Sequence, residues 1–198
     1  MGKIETRKKL KRRAILDAAC DVFLVEGYVT ASMDRIAAAA GVTKQTVYRY
    51  FSSKEELFGE ALKHMREAGE EEFETHLTNP DTRAALLDYA VGFIRAHLSD
   101  SHLEVYRLLI AEGGKSPELT RTFFSVGPED TDRELTAFFR QRLGVDHPET
   151  AIRLWTAMLL APRNEVLIGL PAPSVRQVED HARMSLDVLV TGMGLEVR

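Results

Sequence analysis

Residues 32–57 read SMDRIAAAAGVTKQTVYRYFSSKEEL, and their reading decides the fold. Ser32 stands where a helix cap is needed, with Met33, Ile36 and Ala37 on the inward side of the helix it opens. Gly41-Val42 breaks that helix, and a second one follows from Thr43 to Tyr50. Upstream, residues 12–28 read RRAILDAACDVFLVEGY, an amphipathic helix closed by Gly27. Helix, tight glycine turn, helix is the arrangement of a DNA-reading helix-turn-helix.

The second helix of the pair is unusual for a surface helix. With Val47 facing the core, Phe51 shares its side, Gln45 and Arg49 point outward, and Thr46 and Tyr48 lie on the flanks. A bland exposed helix uses Glu, Lys and Ala there. This one carries no acid between Gly41 and Ser53. Gln pairs bidentately with adenine, and Thr or Tyr meets thymine methyls or phosphate oxygens. The plain alternative is a structural helix with incidental polar residues.

Charge supports the first reading. The 198-residue chain has a net charge of −4, which looks wrong for a nucleic-acid binder until it is divided. Residues 1–53 hold ten Lys/Arg against five Asp/Glu; the remainder holds sixteen against twenty-five. A basic head on an acidic body brings only the head to phosphate. Residues 3–13 alone carry seven Lys/Arg against Glu5, read either as a solvated helix start or as a basic arm along DNA.

The rest of the chain reads as helix. Ser53 and Glu56 have capping-box spacing, as do Ser174 and Gln177, and Asp81 caps a helix placing Leu86, Ala90, Phe93, Ile94 and His97 inward. Further helices are expected over 102–114, 117–125, 129–143 and from His147-Pro148 to about Leu170. Sustained two-residue alternation is absent, so no sheet is expected. The lone Cys20, among apolar neighbours, reads as a buried thiol in a reducing compartment. With no long apolar run and no apolar segment after the charged start, a soluble cytoplasmic protein with no membrane role is expected.

The stretch from Ile15 to Leu57 resembles the tetracycline-repressor (TetR) family of bacterial transcription regulators. The likeness rests on ILDAACDVFLVEGY and SMDRIAAAAGVTKQTVYRYFSSKEELF, with Gly27-Tyr28, Ile36-Ala37, Gly41-Val42, Tyr48, Tyr50-Phe51 and Lys54-Glu55 at the family spacing. The region Leu103–Gly127, with IAEGGKSPELTRTFF, looks like the AefR-like subgroup. The resemblance implies an all-α homodimer. Its helix-turn-helix DNA-binding domain would be residues 1–53, its helical ligand-binding and dimerisation domain residues 54–198. It implies double-stranded DNA with a palindromic operator and a small-molecule effector as partners. It also places Ser32, Thr43, Lys44, Gln45, Thr46, Tyr48, Tyr50 and Lys54 at DNA; Arg49 is added from the helical wheel. Thr30-Ala31 departs from the family order, and Pro162 is expected to kink or split the penultimate helix.

Other features are thinner. Phe93, His97, Tyr106, Phe123, Phe124, Trp155 and Met158 are candidates to line an effector pocket; each also suits an ordinary core. Val178, Met184, Leu186, Val188, Leu189 and Val190 make the last helix more apolar than a solvent-facing one, and Leu154, Trp155, Met158 and Leu159 add to it. A twofold interface through Leu154, Leu159, Leu186, Leu189 and Val190 is therefore expected. The six histidines form no metal-ligand spacing, and no phosphate-cradling or nucleophile motif is present, so no metal, cofactor or catalytic residue is expected. The function expected is a ligand-responsive repressor, released from its operator by a small apolar molecule. The alternatives are a constitutive DNA-binding dimer and a helical enzyme that uses the first helices as scaffold.

Overall fold

The computed structural model describes residues 3–69, 73–126 and 128–195, with side chains at 5–65, 73–126 and 133–195. Every regular element among them is helical. They run α1 (Lys3–Glu26), α2 (Met33–Ala39), α3 (Lys44–Tyr50), α4 (Lys54–Gly69), a 3-10 turn (Phe73–Thr78), α5 (Thr82–His97) and α6 (Asp100–Glu112). Then come α7 (Pro117–Val126), α8 (Pro128–Leu143), α9 (Glu149–Leu159), α10 (Ala161–Leu167) and α11 (Val175–Met193).

The caps follow the sequence chemistry closely. Ser32, Thr43, Asp81 and Ser174 each accept a backbone N–H of the first turn they open. Ser174 and Gln177 form the full reciprocal box. At α4 the box is shifted by one residue. Ser53 accepts the Glu56 N–H, but the Glu56 carboxylate reaches past it to the N–H and hydroxyl of Ser52, each at 2.6 Å. Those bonds hold its carboxyl below the usual range. Pro162 does split the penultimate helix: α9 stops at Leu159, and Pro162 sits in the first turn of α10, where a missing N–H costs nothing. The acidic Glu70–Glu72 stretch lies outside the described residues.

The chain divides into two compact units, residues 1–69 with 104–127, and residues 70–103 with 128–198. In the first, Ile15, Phe23, Ile36, Val47, Phe51, Leu57, Phe58, Ala61 and Leu119 share one core. The packing unit therefore takes in α4 and α7 as well as the three head helices, and its division differs from the functional one expected at 53/54. Cys20 lies in this core, its thiol 3.7 Å from the Ala61 carbonyl. Burial pushes the thiol up to about 12, helped by Asp17 and Asp21.

The second unit packs α5 against α9 and α11, with α8 and the 3-10 turn alongside, around Leu86, Tyr89, Phe93, Phe139, Ile152, Trp155 and Leu186. Its core corrects the expected interface. Leu159, Leu186 and Leu189 are at most 5% exposed and fill the interior of their own chain. Their apolarity was read as a free face, but α11 carries two apolar stripes and these residues belong to the inner one. The outer stripe is Met184 and Val188 on α11, with Leu154 on α9; all three are more than half exposed. Val190 is partly buried at the margin of the core.

Candidate nucleic-acid interface

The head is built so that Val47 is the one fully buried residue of α3, while Lys44, Gln45, Tyr48 and Arg49 stay exposed and Thr46 and Tyr50 are half-buried. The connection from α2 fixes this orientation. Gly41 takes φ +64°, its N–H bonds the Ala38 carbonyl at 3.2 Å, and the Val42 N–H reaches back to Ala37 at 3.0 Å. That paired closure of α2 requires a left-handed residue, which glycine adopts without a Cβ penalty. Thr43 then caps α3, its Oγ1 accepting the Thr46 N–H at 3.2 Å with the two hydroxyls 2.9 Å apart.

Ser32 caps α2 in the same way, accepting the Arg35 N–H at 3.2 Å. Both cap residues are exposed, so the starts of α2 and α3 open toward solvent. Lys44 bonds Asp34 at 2.8 Å, which raises its pKa and ties the start of α3 to α2. Both partners are well exposed, and a pair of that kind opens readily toward a phosphate. The Arg49 guanidinium lies 5.6 Å over the Tyr50 ring, and the Tyr50 hydroxyl donates to the Lys8 carbonyl at 3.4 Å.

Two basic features of the head are engaged within the chain. Lys54 does not present a free ammonium. It donates to the carbonyls of Tyr28 (2.8 Å) and Ala31 (3.2 Å), lies 3.5 Å from that of Val29, and sits 4.5 Å over the Tyr28 ring. The basic segment 3–13 is helical from Lys3 onward, as the helix-start reading has it, and its Arg12 pairs with Glu60 of α4. Met1 and Gly2 lie outside the described residues.

The seven pocket candidates fall into two groups, each within its own unit. Tyr106, Phe123 and Phe124 pack together edge to face at 5.6–6.0 Å in the first, where Phe123 leans on the head core and Phe124 is about half exposed. Phe93, His97, Trp155 and Met158 belong to the second. There a file of rings runs Phe139, Trp155, Tyr89, Phe93, His97, His102, with neighbouring centroids 6.3, 5.8, 5.8, 4.0 and 4.3 Å apart. Phe73 meets Tyr89 and Phe93 edge-on.

His97 Nδ1 lies 2.7 Å from the Phe93 carbonyl, an acceptor, so this nitrogen carries the proton. Burial, then His102, holds His97 well below the ordinary histidine range. Burial and the Arg163 charge bring His102 down to about 4. Both rings are neutral at pH 7. Trp155 is fully buried and its indole N–H has no hydrogen-bond partner among the described residues. The described residues bring together no group of three His, Cys, Asp or Glu side chains suited to a metal ion, and no described helix is long and apolar enough to cross a membrane.

Sequence reasoning missed Glu112, whose carboxylate accepts the Val29 N–H at 2.8 Å. The two residues are 83 apart, and nothing local to Glu112 signals the contact.

Comparison with known proteins agrees with this geometry. Residues 15–61 match the family described as bacterial regulatory proteins, tetR family. Residues 84–191 match the AefR-like transcriptional repressor, C-terminal domain. A putative TetR-family transcriptional regulator from Mesorhizobium loti superposes with a TM-score of 0.75 at 28% identity, covering 94% of this chain and 98% of that one. The flavonoid-responsive regulator FrrA superposes with a TM-score of 0.76 at 28% identity, covering 93% and 97%. In sequence, 71 residues are 39% identical to an HTH-type transcriptional regulator, YhgD, of Bacillus subtilis, which is 34% of this chain and 37% of that protein. The stretches matched in the first curated relatives span less than half of those proteins' own length.

Proposed function

The chain belongs to the tetR family of bacterial regulatory proteins, and from that premise we propose that it is a dimeric, ligand-released repressor reading a palindromic operator with α2 and α3. The observation that carries the proposal is α3 itself. It is anchored by a single buried residue, Val47, and turns Gln45, Tyr48 and Arg49 outward with no acid among them. Gln45 is the base reader, through bidentate bonds to adenine. Tyr48 and Arg49 meet neighbouring base edges or backbone. Ser32, Thr43, Thr46, Lys44 and Tyr50 approach phosphates, which fix the register of the head without carrying sequence information.

The test is selection of duplexes from a random pool. The wild-type protein enriches an inverted repeat, and Gln45→Ala relaxes the sequence at one position in each half. Enrichment of no sequence contradicts the reading.

The second unit takes the effector in this proposal. The ring file beside Phe93, His97 and Trp155 offers stacking faces, and the neutral His97 and the buried Trp155 N–H offer one acceptor and one donor. This chemistry suits a small aromatic molecule carrying a hydroxyl or carbonyl, in keeping with the flavonoid-responsive relative. Trp155 is the single tryptophan of the chain, so its fluorescence reports the site directly. A flavonoid probe such as naringenin quenches that emission and releases bound duplex together. Release without quenching moves the effector away from Trp155, and neither effect leaves a constitutive dimer.

A further inference from the structure

The turn from α1 to α2 is held from both sides by opposite charges. Gly27 leaves α1 with φ +86°, and the next four residues lead directly to the Ser32 cap of α2. On one side the Glu112 carboxylate, at the last residue of α6, accepts the Val29 N–H at 2.8 Å. On the other, the Lys54 ammonium donates to the Tyr28 and Ala31 carbonyls and faces that of Val29. The carboxylate meets an amide hydrogen and the ammonium meets carbonyl oxygens, so each charge lies at the favourable end of the turn's peptide dipoles. Gly27 is required twice over. Its backbone is left-handed, and a Cβ there would push the Glu112 carboxylate out of its present position.

This arrangement leads straight to the reading surface. Ala31 is buried and precedes Ser32, which caps α2. From α2, the Gly41 closure and the core shared by Ile36, Ala37 and Val47 carry its placement to α3. A shift of the turn therefore re-aims both helices together. Neither Glu112 nor the ammonium of Lys54 lies on the outward face of α3.

We propose that Glu112 is a positioning residue for DNA reading: with Lys54 opposing it across the 27–31 turn, it aims α2 and α3, so operator specificity depends on a side chain that touches no DNA. The inference rests on the DNA-binding reading above.

The experiment compares wild type with Glu112→Ala, Glu112→Gln and Lys54→Met on two duplexes, the one enriched by wild type and a scrambled version. Glu112→Ala loses about tenfold on the enriched duplex, the worth of one charged hydrogen bond, and less than about twofold on the scrambled one. Its salt slope stays at the wild-type value, and its thermal midpoint falls by no more than about 2–4 °C, leaving it folded at the assay temperature. Glu112→Gln, whose amide oxygen still accepts the Val29 N–H, recovers most of the affinity. Lys54→Met also loses specific affinity at unchanged salt slope. Gly27→Ala costs less affinity in the Glu112→Ala background than in wild type, because no carboxylate is left to displace while the backbone strain remains.

Parallel losses on both duplexes, wild-type affinity of Glu112→Ala, or a Glu112→Ala variant partly unfolded at the assay temperature overturns the proposal. A salt slope lowered by about one in Lys54→Met assigns that ammonium to a phosphate and removes it from the clamp. Wild type that enriches no duplex fails the DNA-binding reading itself, a result distinct from a wild type that enriches one and a Glu112→Ala variant that binds it equally.

Discussion

Gln45 and Val47 are two residues apart and have opposite tasks. Val47 is fully buried and fixes α3; Gln45 is exposed and free to bond. Gln45→Ala should therefore leave the fold untouched and cost roughly 1–3 kcal/mol on the selected duplex, with little change on a scrambled one. Anisotropy titrations on the two duplexes check this, and equal losses on both would make Gln45 a phosphate contact. Cys20 makes a second prediction at this scale. Its thiol is held up at about 12 in the folded chain against 9.0 in the open chain. Above pH 9 the unfolded state releases a proton that the folded state keeps, so this contribution to stability is complete below pH 9 and is lost progressively toward pH 12. Urea unfolding between pH 8 and 10 should show a steeper alkaline loss for wild type than for Cys20→Ala. Identical slopes would mean that the thiol is not sequestered.

At the scale of elements, α11 separates two roles that its composition merges. Leu186 has no exposed surface, while Val188 is about half exposed. Leu186→Glu buries an unpaired carboxylate and should destabilise the chain by upwards of about 3 kcal/mol, seen as a large fall in the urea midpoint. Val188→Glu should keep that midpoint and sediment as a monomer where wild type sediments as the proposed dimer. A Val188→Glu protein that remains dimeric places the twofold face elsewhere. The α2–α3 connection gives a parallel case. Gly41→Ala meets no atom within 4 Å, so its cost is backbone strain alone, about 1–2 kcal/mol.

These elements also show what could be read in advance. The helix starts at Ser32, Thr43, Asp81 and Ser174 were legible because capping is local chemistry between residues three apart. The split at Pro162 was legible because a ring without an N–H acts where it stands. The exposed face of α3 followed from one buried valine and a wheel. Which apolar stripe of α11 faces inward was not legible, since Leu186 and Val188 are equally apolar and only α5 and α9 decide between them. The use of Lys54 was hidden for a related reason: a lysine at a helix start beside a reading helix suits a phosphate and a backbone turn equally. The placement of Phe123 with the head core depends on α7 packing against α4, a contact between residues some sixty positions apart.

On the scale of the whole molecule, the uneven charge and the proposed twofold give the account its shape. A basic head with an acidic remainder suits phosphate at the head alone, and the proposed pair of heads on one axis would require an operator that repeats in inverted order. The most direct measurement is sequence selection from a random duplex pool by the wild-type chain, with sedimentation of the resulting complex. The expected product is an inverted repeat, its half-sites one helical turn or more apart, bound by an even number of chains. A pool that emerges with no enriched sequence, or a single unrepeated half-site bound by one chain, would contradict it.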